Sequence, residues 1–454
     1  MRISNIEHAL TLHIRKLLRA LFTDSQIRYI SFILSLITCL IDANVSIFAL
    51  FTASFTSHLG YSTVAINIIA GSMLVGLYLT LPVLGYLADA HGPVLLAVIG
   101  LLVSPGYYMA LRIYEQRCGE WWMALAFFFI GMGTSSSYFC SLLTCARVFP
   151  DRKGLSISLP VSCYGLSGFL LAWVFTWDVF TDVNSGGLNV PLVFEVFSIT
   201  YAIACVINWV SSVVVTIEKE VVFAQMYAEE AIDGYGAITE GEGDMGGDND
   251  GLFEAAMVKE NVHSTKFQAF LKDPAMPLVL MALLCMAGPL ELFVSNMANI
   301  GATNAKELSM DVAVFAVAST IARLSMGVIS DIFNSCGATV RLVQMASALA
   351  AAGYVALYQQ LPATDFPVIC AVLGVAYGAV FTMFPTLVAT VWGVEIFGST
   401  WGLFLAAPAI GSSALGVLYA HLYETGLQET AFAVLAATAL AGCVCVQLAY
   451  RHWS

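Results

Sequence analysis

The sequence predicts an all-α membrane protein with twelve transmembrane helices in two pseudo-symmetric halves of six. Three observations carry that expectation. First, 59% of the 454 residues are hydrophobic and only 11% are charged, where a soluble domain carries roughly 25% charged residues. With so few charges, most of the surface must face lipid. Second, twelve apolar runs each approach or exceed the roughly 20 residues that span a bilayer. Third, "GYLADAHGP" at 85–93 ends the second run, and a weaker echo, "GVISDIFNSCG" at 327–337, ends the eighth. Both read Gly-x-x-x-Asp, and each closes the second run of its half. The chain therefore reads as a duplicated six-helix unit.

The runs lie at 28–52, 64–88, 94–113, 121–147, 154–177 and 192–216, then at 275–299, 309–331, 339–359, 365–391, 398–421 and 429–450. Gly288-Pro289 and Pro408 interrupt two of them. Membrane helices tolerate such breaks, because neighbouring helices satisfy the freed backbone groups. Lys and Arg then set the orientation. With a cytosolic N-terminus, fifteen basic residues fall in or beside cytosolic segments, among them Arg15, Lys16, Arg19, Arg147, Arg152, Lys153 and Arg451. Only Arg112, Arg117 and Lys306 fall opposite. The positive-inside rule places both chain ends, including the tail 451–454, in the cytosol.

Ahead of the first run, Ile3, Ile6, Leu10, Ile14, Leu17 and Leu21 recur at helical spacing with basic residues between them. The segment 1–27 reads as an amphipathic arm on the cytosolic face, not a cleaved signal peptide. Residues 28–216 form the first bundle and 275–450 the second. Between them, 217–274 contains "AITEGEGDMGGDND". A stretch this rich in Gly and acid cannot bury a core and reads as a disordered cytosolic linker. It also carries much of the net charge of −13, so the acidity says little about partners and gives no nucleic-acid surface. Nearly all of the eleven cysteines sit within apolar runs with no C-x-x-C pair, as small core residues do. No Walker loop, zincin H-E-x-x-H or compact Cys/His set is present. No cofactor, metal or enzymatic chemistry is expected.

A duplicated six-helix chain builds a solute site between its halves and exposes it alternately to each side. Two Gly-x-x-x-Asp turns in register with a six-plus-six order resemble the loop signature of the major facilitator superfamily. The signature positions here are Gly85, Asp89 and Gly92, and Gly327 and Asp331. The basic residues that usually follow the Asp are absent: Ala90 and His91 follow Asp89, and Ile332 and Phe333 follow Asp331. Arg147, or Arg152, in "TCARVFPDRKG" is placed to supply positive charge to Asp89 instead. The stretches "GVAYGAVFTMFPTLVATVWGVEIFGSTWGLFLAAPAIGSS", "HLGYSTVAINIIAGSMLVGLYLTLPVLGYLADAHGP" and "GPLELFVSNMANIG" resemble the fungal MCH-type probable transporters, homologues of monocarboxylate transporters, and more distantly the nodulin-like branch. That resemblance implies the major facilitator fold and residence in the vacuolar membrane. It does not carry over the animal carriers' mechanism. The first run has no Lys, and Ser319 stands where those carriers have an Asp four residues before Arg323.

Charges inside membrane helices are costly, by about 2.5–3.5 kcal/mol on insertion scales, so each one is a functional candidate. Asp42 lies in the first run, Glu291 in the seventh and Arg323 in the eighth. The fold implied by the resemblance places helices one, four, seven and ten around the cavity. A carboxylate taken out of water holds its proton more tightly, so Asp42 and Glu291 are candidates for proton coupling. Arg323 can grip an anionic solute or hold one of those carboxylates. Asn44, Asn296, Asn299 and Tyr377 add polar groups on the cavity helices, and Tyr377, Phe381 and Trp392 offer an aromatic wall. The plain structural readings stay open: an Arg323–Asp331 ion pair, and polar residues that glue helices together. The chain thus reads as a secondary transporter of a small organic solute, coupled to protons or facilitative, with a carboxylate as one candidate. The rivals are a carrier of an amino acid or a metal complex, and a membrane solute sensor.

Overall fold

The computed structural model describes residues 3–42, 47–175, 177–181, 188–234, 263–301, 305–333, 335–359 and 366–453. They are almost wholly helical, as a chain in lipid must be when every backbone group needs an internal partner. Helix α1 (Ile3–Leu21) is the N-terminal arm. Ile14 packs against Val94, Val213 and Trp209, and Leu18 against Ile27, Val148 and Val214. Leu17 and Leu21 stay exposed. The arm is thus held across the helix ends by part of its apolar face, and each fully buried side chain of this size stabilises by about 1.5–3 kcal/mol.

The first expected span is divided. Helix α2 (Asp24–Ile41) starts with Thr23 and Gln26 in a capping box and ends at Asp42; α3 (Ala49–Leu59) follows. The second span is α4 (Thr63–Leu74), a π-helical turn at Val75–Leu79, and α5 (Leu81–His91). The third is α6 (Val94–Val103) with α7 (Gly106–Gln116), and the fourth is α8 (Glu120–Val148). The fifth is α9 (Lys153–Val174), which carries Pro160 inside it. The sixth, α10 (Val190–Gly234), runs past residue 216 into the expected linker. A short helix α11 (263–272) lies in the same segment, so the described ends of 217–274 are helical. Residues 235–262 fall outside the description.

In the second half come α12 (Ala275–Ile300), α13 (Ala305–Phe333), α14 (Cys336–Tyr358) and α15 (Phe366–Val391). The eleventh span is α16 (Phe397–Phe404) plus α17 (Ala406–Glu424), and α18 (Gln428–Trp453) closes the chain. Among the described residues, ten spans are each long and apolar enough to cross a membrane, or eleven if the bent pair at the N-terminus counts as one. Gly288-Pro289 does not interrupt α12. The Pro289 carbonyl accepts from the Tyr354 hydroxyl at 2.5 Å, and Gly288 lies against the backbone of Gly411.

Each half has its own core. In the first, Phe51, Phe55, Phe127 and Phe194 pack with Tyr107 and Tyr201. Beside them runs a buried polar cluster. The Asn208 Oδ1 accepts from Thr38 (2.9 Å) and Ser141 (2.7 Å), while its amide donates to the Ser137 hydroxyl (2.8 Å). This cluster ties α2, α8 and α10 together, each bond contributing about 0.5–1.5 kcal/mol. The second core centres on Phe293, Tyr354, Met383 and Phe384, and it continues into α5 and α8 of the first half.

Candidate functional site

The two halves are joined at the face where α5, α8, α13 and α15 end, through two seams built alike. On the first, Gly85 of α5 lies against the carbonyl of Gly398, and a Cβ on Gly398 would come within 2.7 Å of Asp89 Oδ1. Neither position has room for a side chain, so the helices approach backbone to backbone. That approach lets Asp89 cap α16. Its Oδ1 accepts from the backbone N–H of Gly398 at 3.1 Å; its Oδ2 accepts from the N–H of Ser399 at 2.5 Å and from the Ser399 hydroxyl at 2.8 Å. An unfilled helix N-terminus supplies both free N–H donors and a favourable dipole for a carboxylate. The Arg147 guanidinium donates to Asp89 Oδ1 from α8. It is 7% exposed and Asp89 is 2% exposed, so this pair is screened little by water. Gly92 ends α5 with a φ of 97°, a conformation that favours glycine.

The second seam repeats the plan. Gly327 of α13 abuts Ser158 and Gly154 of α9. Asp331 accepts from the backbone N–H groups of Gly154 (2.6 Å) and Leu155 (2.8 Å) at the start of α9. Arg323, two turns earlier on the same stripe, donates to the Val161 carbonyl at 3.0 Å, again on α9. The repeated Gly-x-x-x-Asp is thus a device in which the glycine admits the other half's helix and the aspartate caps it. Asp331 is engaged with α9, and no carboxylate lies within 4.0 Å of Arg323 among the described residues.

Helix α11 adds a component the sequence did not announce. His263 is buried, and its Nε2 lies 3.1 Å from Ser399 Oγ and 4.0 Å from Asp89 Oδ2. The Ser399 hydroxyl has one proton, which it gives to Asp89, so Nε2 is the donor in the His263–Ser399 bond. The imidazole also packs edge-on against Tyr86 and stacks over Phe267.

Between the halves, Arg323 lies with its guanidinium carbon 5.5 Å from the Tyr377 ring centroid. The Tyr377 hydroxyl donates to Glu291 Oε1 at 3.0 Å, and Arg323 lies within electrostatic reach of Glu291. The structure therefore brings Glu291, Arg323 and Tyr377 together. Tyr78, Tyr138 and Tyr164 join them. Tyr78 comes from the π-helical turn; Tyr138 and Tyr164 have ring centroids 4.3 Å apart. Glu291 and these tyrosines are half-buried. Gly165 makes room for Arg323, since a Cβ there would fall on Nη1.

The other candidates are placed elsewhere. Asp42 is fully buried within the first half, and neither carboxylate oxygen has a hydrogen-bond partner among the described residues. The Tyr201 hydroxyl donates to its backbone carbonyl at 3.0 Å. Asn296 spends its amide on the Leu292 carbonyl one turn back (3.0 Å). Asn44, and the side chain of Asn299, lie outside the described residues. Trp392 is not part of a wall with Tyr377 and Phe381. It ends α15, donates to Asp273 Oδ2 at 2.8 Å, and packs with Phe270, Phe404 and Trp453. Tyr78, Tyr138, Tyr164, Gly165 and His263 escaped sequence reasoning. They come from separate helices, so no spacing links them; only the unusual burial of one Arg signalled that partners were needed.

A family model described as Major Facilitator Superfamily matches residues 34–416. "Probable transporter MCH1" of Wickerhamomyces anomalus is 37% identical over 94% of this chain and 86% of its own length. The protein of the same name from Candida albicans is 34% identical over 98% of this chain and 97% of its own. Among solved structures, the proton:xylose symporter XylE superposes with a TM-score of 0.67 at 11% identity, covering 94% of this chain and 96% of that one. The human organic anion transporter MFSD10 gives 0.60 at 11% identity, covering 94% and 100%. The fold with its paired seams and the extent of these matches lead to one conclusion: the chain belongs to the major facilitator superfamily and is a multi-pass membrane transporter, not an enzyme.

Proposed function

We propose that this transporter carries a small organic anion, with a carboxylate as its charged group, across the vacuolar membrane by alternating access coupled to protons. Arg323 carries the reading. Arg323 is 6% exposed, has no acidic partner within ion-pair distance among the described residues, and leaves Nε without a hydrogen bond. A buried cation in that state is costly, and an anionic solute bound in the adjoining cavity relieves the cost. Glu291 is the proton site closest to it, held by Tyr377 and within reach of the Arg323 charge. Protonating Glu291 removes a negative charge that competes with the solute for Arg323, which couples the two. Asp42 is the second proton site.

The seams give the gate. With Asp89 on α16 and Asp331 on α9, the face carrying both seams is shut. The excess of Lys and Arg at that face supports a cytosolic reading of it. Opening it breaks five carboxylate hydrogen bonds between the halves, three at Asp89 and two at Asp331. Human MFSD10, an organic anion transporter by its name, shares the fold. Vacuolar residence follows the likeness to the fungal MCH1 proteins. The test is uptake of labelled carboxylates, amino acids and metal complexes into liposomes holding the purified protein, with and without a pH gradient. Saturable carboxylate uptake that follows the gradient and is lost in Arg323→Gln is the expected result. Uptake unchanged in Arg323→Gln sinks the anion reading.

A further inference from the structure

Aromatic rings from both halves gather around Arg323. Tyr138 and Tyr164 form one pair, with centroids 4.3 Å apart at 42°. Tyr377 and Phe381 form the other, 4.5 Å apart at 40°. Arg323 lies between the two pairs: its guanidinium is over Tyr377, and it lies against Gly165, next to Tyr164 in the chain, and donates to the Val161 carbonyl. Tyr78 lies within reach of Tyr138, Tyr164 and Glu291. All five rings keep accessible surface. A solute rich in hydroxyls needs paired donors and acceptors such as amides and carboxylates around its rim. Among the described residues, this wall offers phenols, one guanidinium, and one carboxylate already engaged by Tyr377. Aromatic faces supply offset stacking to a flat ring, and the Arg323 guanidinium, which has no acidic partner within ion-pair distance among the described residues, supplies the charge for an anion.

We propose that the solute is a flat, ring-bearing carboxylate, its carboxylate held by Arg323 and its ring stacked on the tyrosine faces of the two halves. This rests on the anion reading above and names the class of anion. It assigns Tyr138, Tyr164 and Tyr377 as specificity residues.

The experiment uses the full-length protein, purified and folded by thermal melt, and measures binding of four probes by competition and by thermal stabilisation. The probes are benzoate, indole-3-carboxylate, cyclohexanecarboxylate and lactate. Benzoate and cyclohexanecarboxylate match in charge and ring size and differ in flatness and π-character. The expected result is that both aromatic carboxylates bind, with cyclohexanecarboxylate weaker by about fivefold to a hundredfold, the worth of one or two aromatic contacts. Tyr138→Leu narrows that gap, Tyr138→Phe preserves it, and Arg323→Gln abolishes binding of all four. If lactate and cyclohexanecarboxylate bind as well as benzoate, the ring proposal falls and the anion reading stands. If no carboxylate binds to protein that melts cooperatively, both fall together.

Discussion

Asp89→Asn is the sharpest test of the gate. In the closed state the carboxylate accepts three hydrogen bonds from α16, at 2.5, 2.8 and 3.1 Å, besides the one from Arg147. The Arg147 contact lies within the first half and survives opening; the three bonds to α16 do not. An amide keeps one acceptor oxygen and turns an N–H₂ toward donors. It therefore loses or reverses about two of the three, and each hydrogen bond to a charged group contributes about 1.5–3 kcal/mol. Water takes over part of that in the open state. The closed gate should weaken by about 2–4 kcal/mol, a shift of about thirtyfold to nearly a thousandfold toward the state open at this face. The assay is the rate at which a thiol reagent applied from the basic face modifies a single cysteine introduced into α9 between Gly154 and Val161, in otherwise cysteine-free protein. Asp89→Asn should raise that rate, and Asp89→Asn combined with Ser399→Ala should raise it by less than the product of the two. An unchanged rate, or strict additivity of two residues that share a hydrogen bond, would refute the capping argument.

Further outcomes follow from the same geometry. Gly165→Ala should displace the Arg323 guanidinium and weaken anion binding by about tenfold to a hundredfold, the worth of one charge-assisted contact, while the melting temperature shifts little; a titration with benzoate against a neutral analogue reads it. Glu291→Gln should leave uptake driven by the solute gradient and remove its response to an imposed pH gradient, whereas Asp42→Asn should blunt that response and also raise the melting temperature, because it removes a buried carboxylate without a described partner; unchanged pH dependence in both variants ends the coupling assignment. His263→Ala should loosen the Asp89 seam by about 0.5–1.5 kcal/mol, the worth of a neutral hydrogen bond, seen as faster cysteine labelling at α9, and His263→Gln should restore part of it.

The membrane class, the run order and the repeated acidic turn were legible because each is a one-dimensional signal. Hydropathy acts on contiguous residues, and Gly85–Asp89 and Gly327–Asp331 carry their own spacing. Glu291 and Arg323 stood out because a charge in lipid needs a reason, Tyr377 stood out as a polar aromatic group on an expected cavity helix, and the fold gathers those three. The same rule singled out Asp42, but the fold buries it within one half rather than at the junction. Where helices break was poorly legible. Pro289 sits inside a continuous α12, while α2 stops at Ile41 with no Pro nearby, because neighbouring helices decide whether a freed backbone group finds a partner.

The sequence by itself determined that the chain is built of apolar segments in a repeated order, which ends are basic, and which few charges must find partners, since these follow from burial costs that each segment meets alone. Only the tertiary structure decided who those partners are. Asp89 could have met Arg147, Arg152 or nothing; it meets Arg147 together with the N-terminus of α16, some 310 residues away. Arg323 could have paired with Asp331; instead Asp331 caps α9 and leaves Arg323 over the ring of Tyr377. These outcomes depend on how closely two helices approach, and that distance is set by glycines on both of them at once.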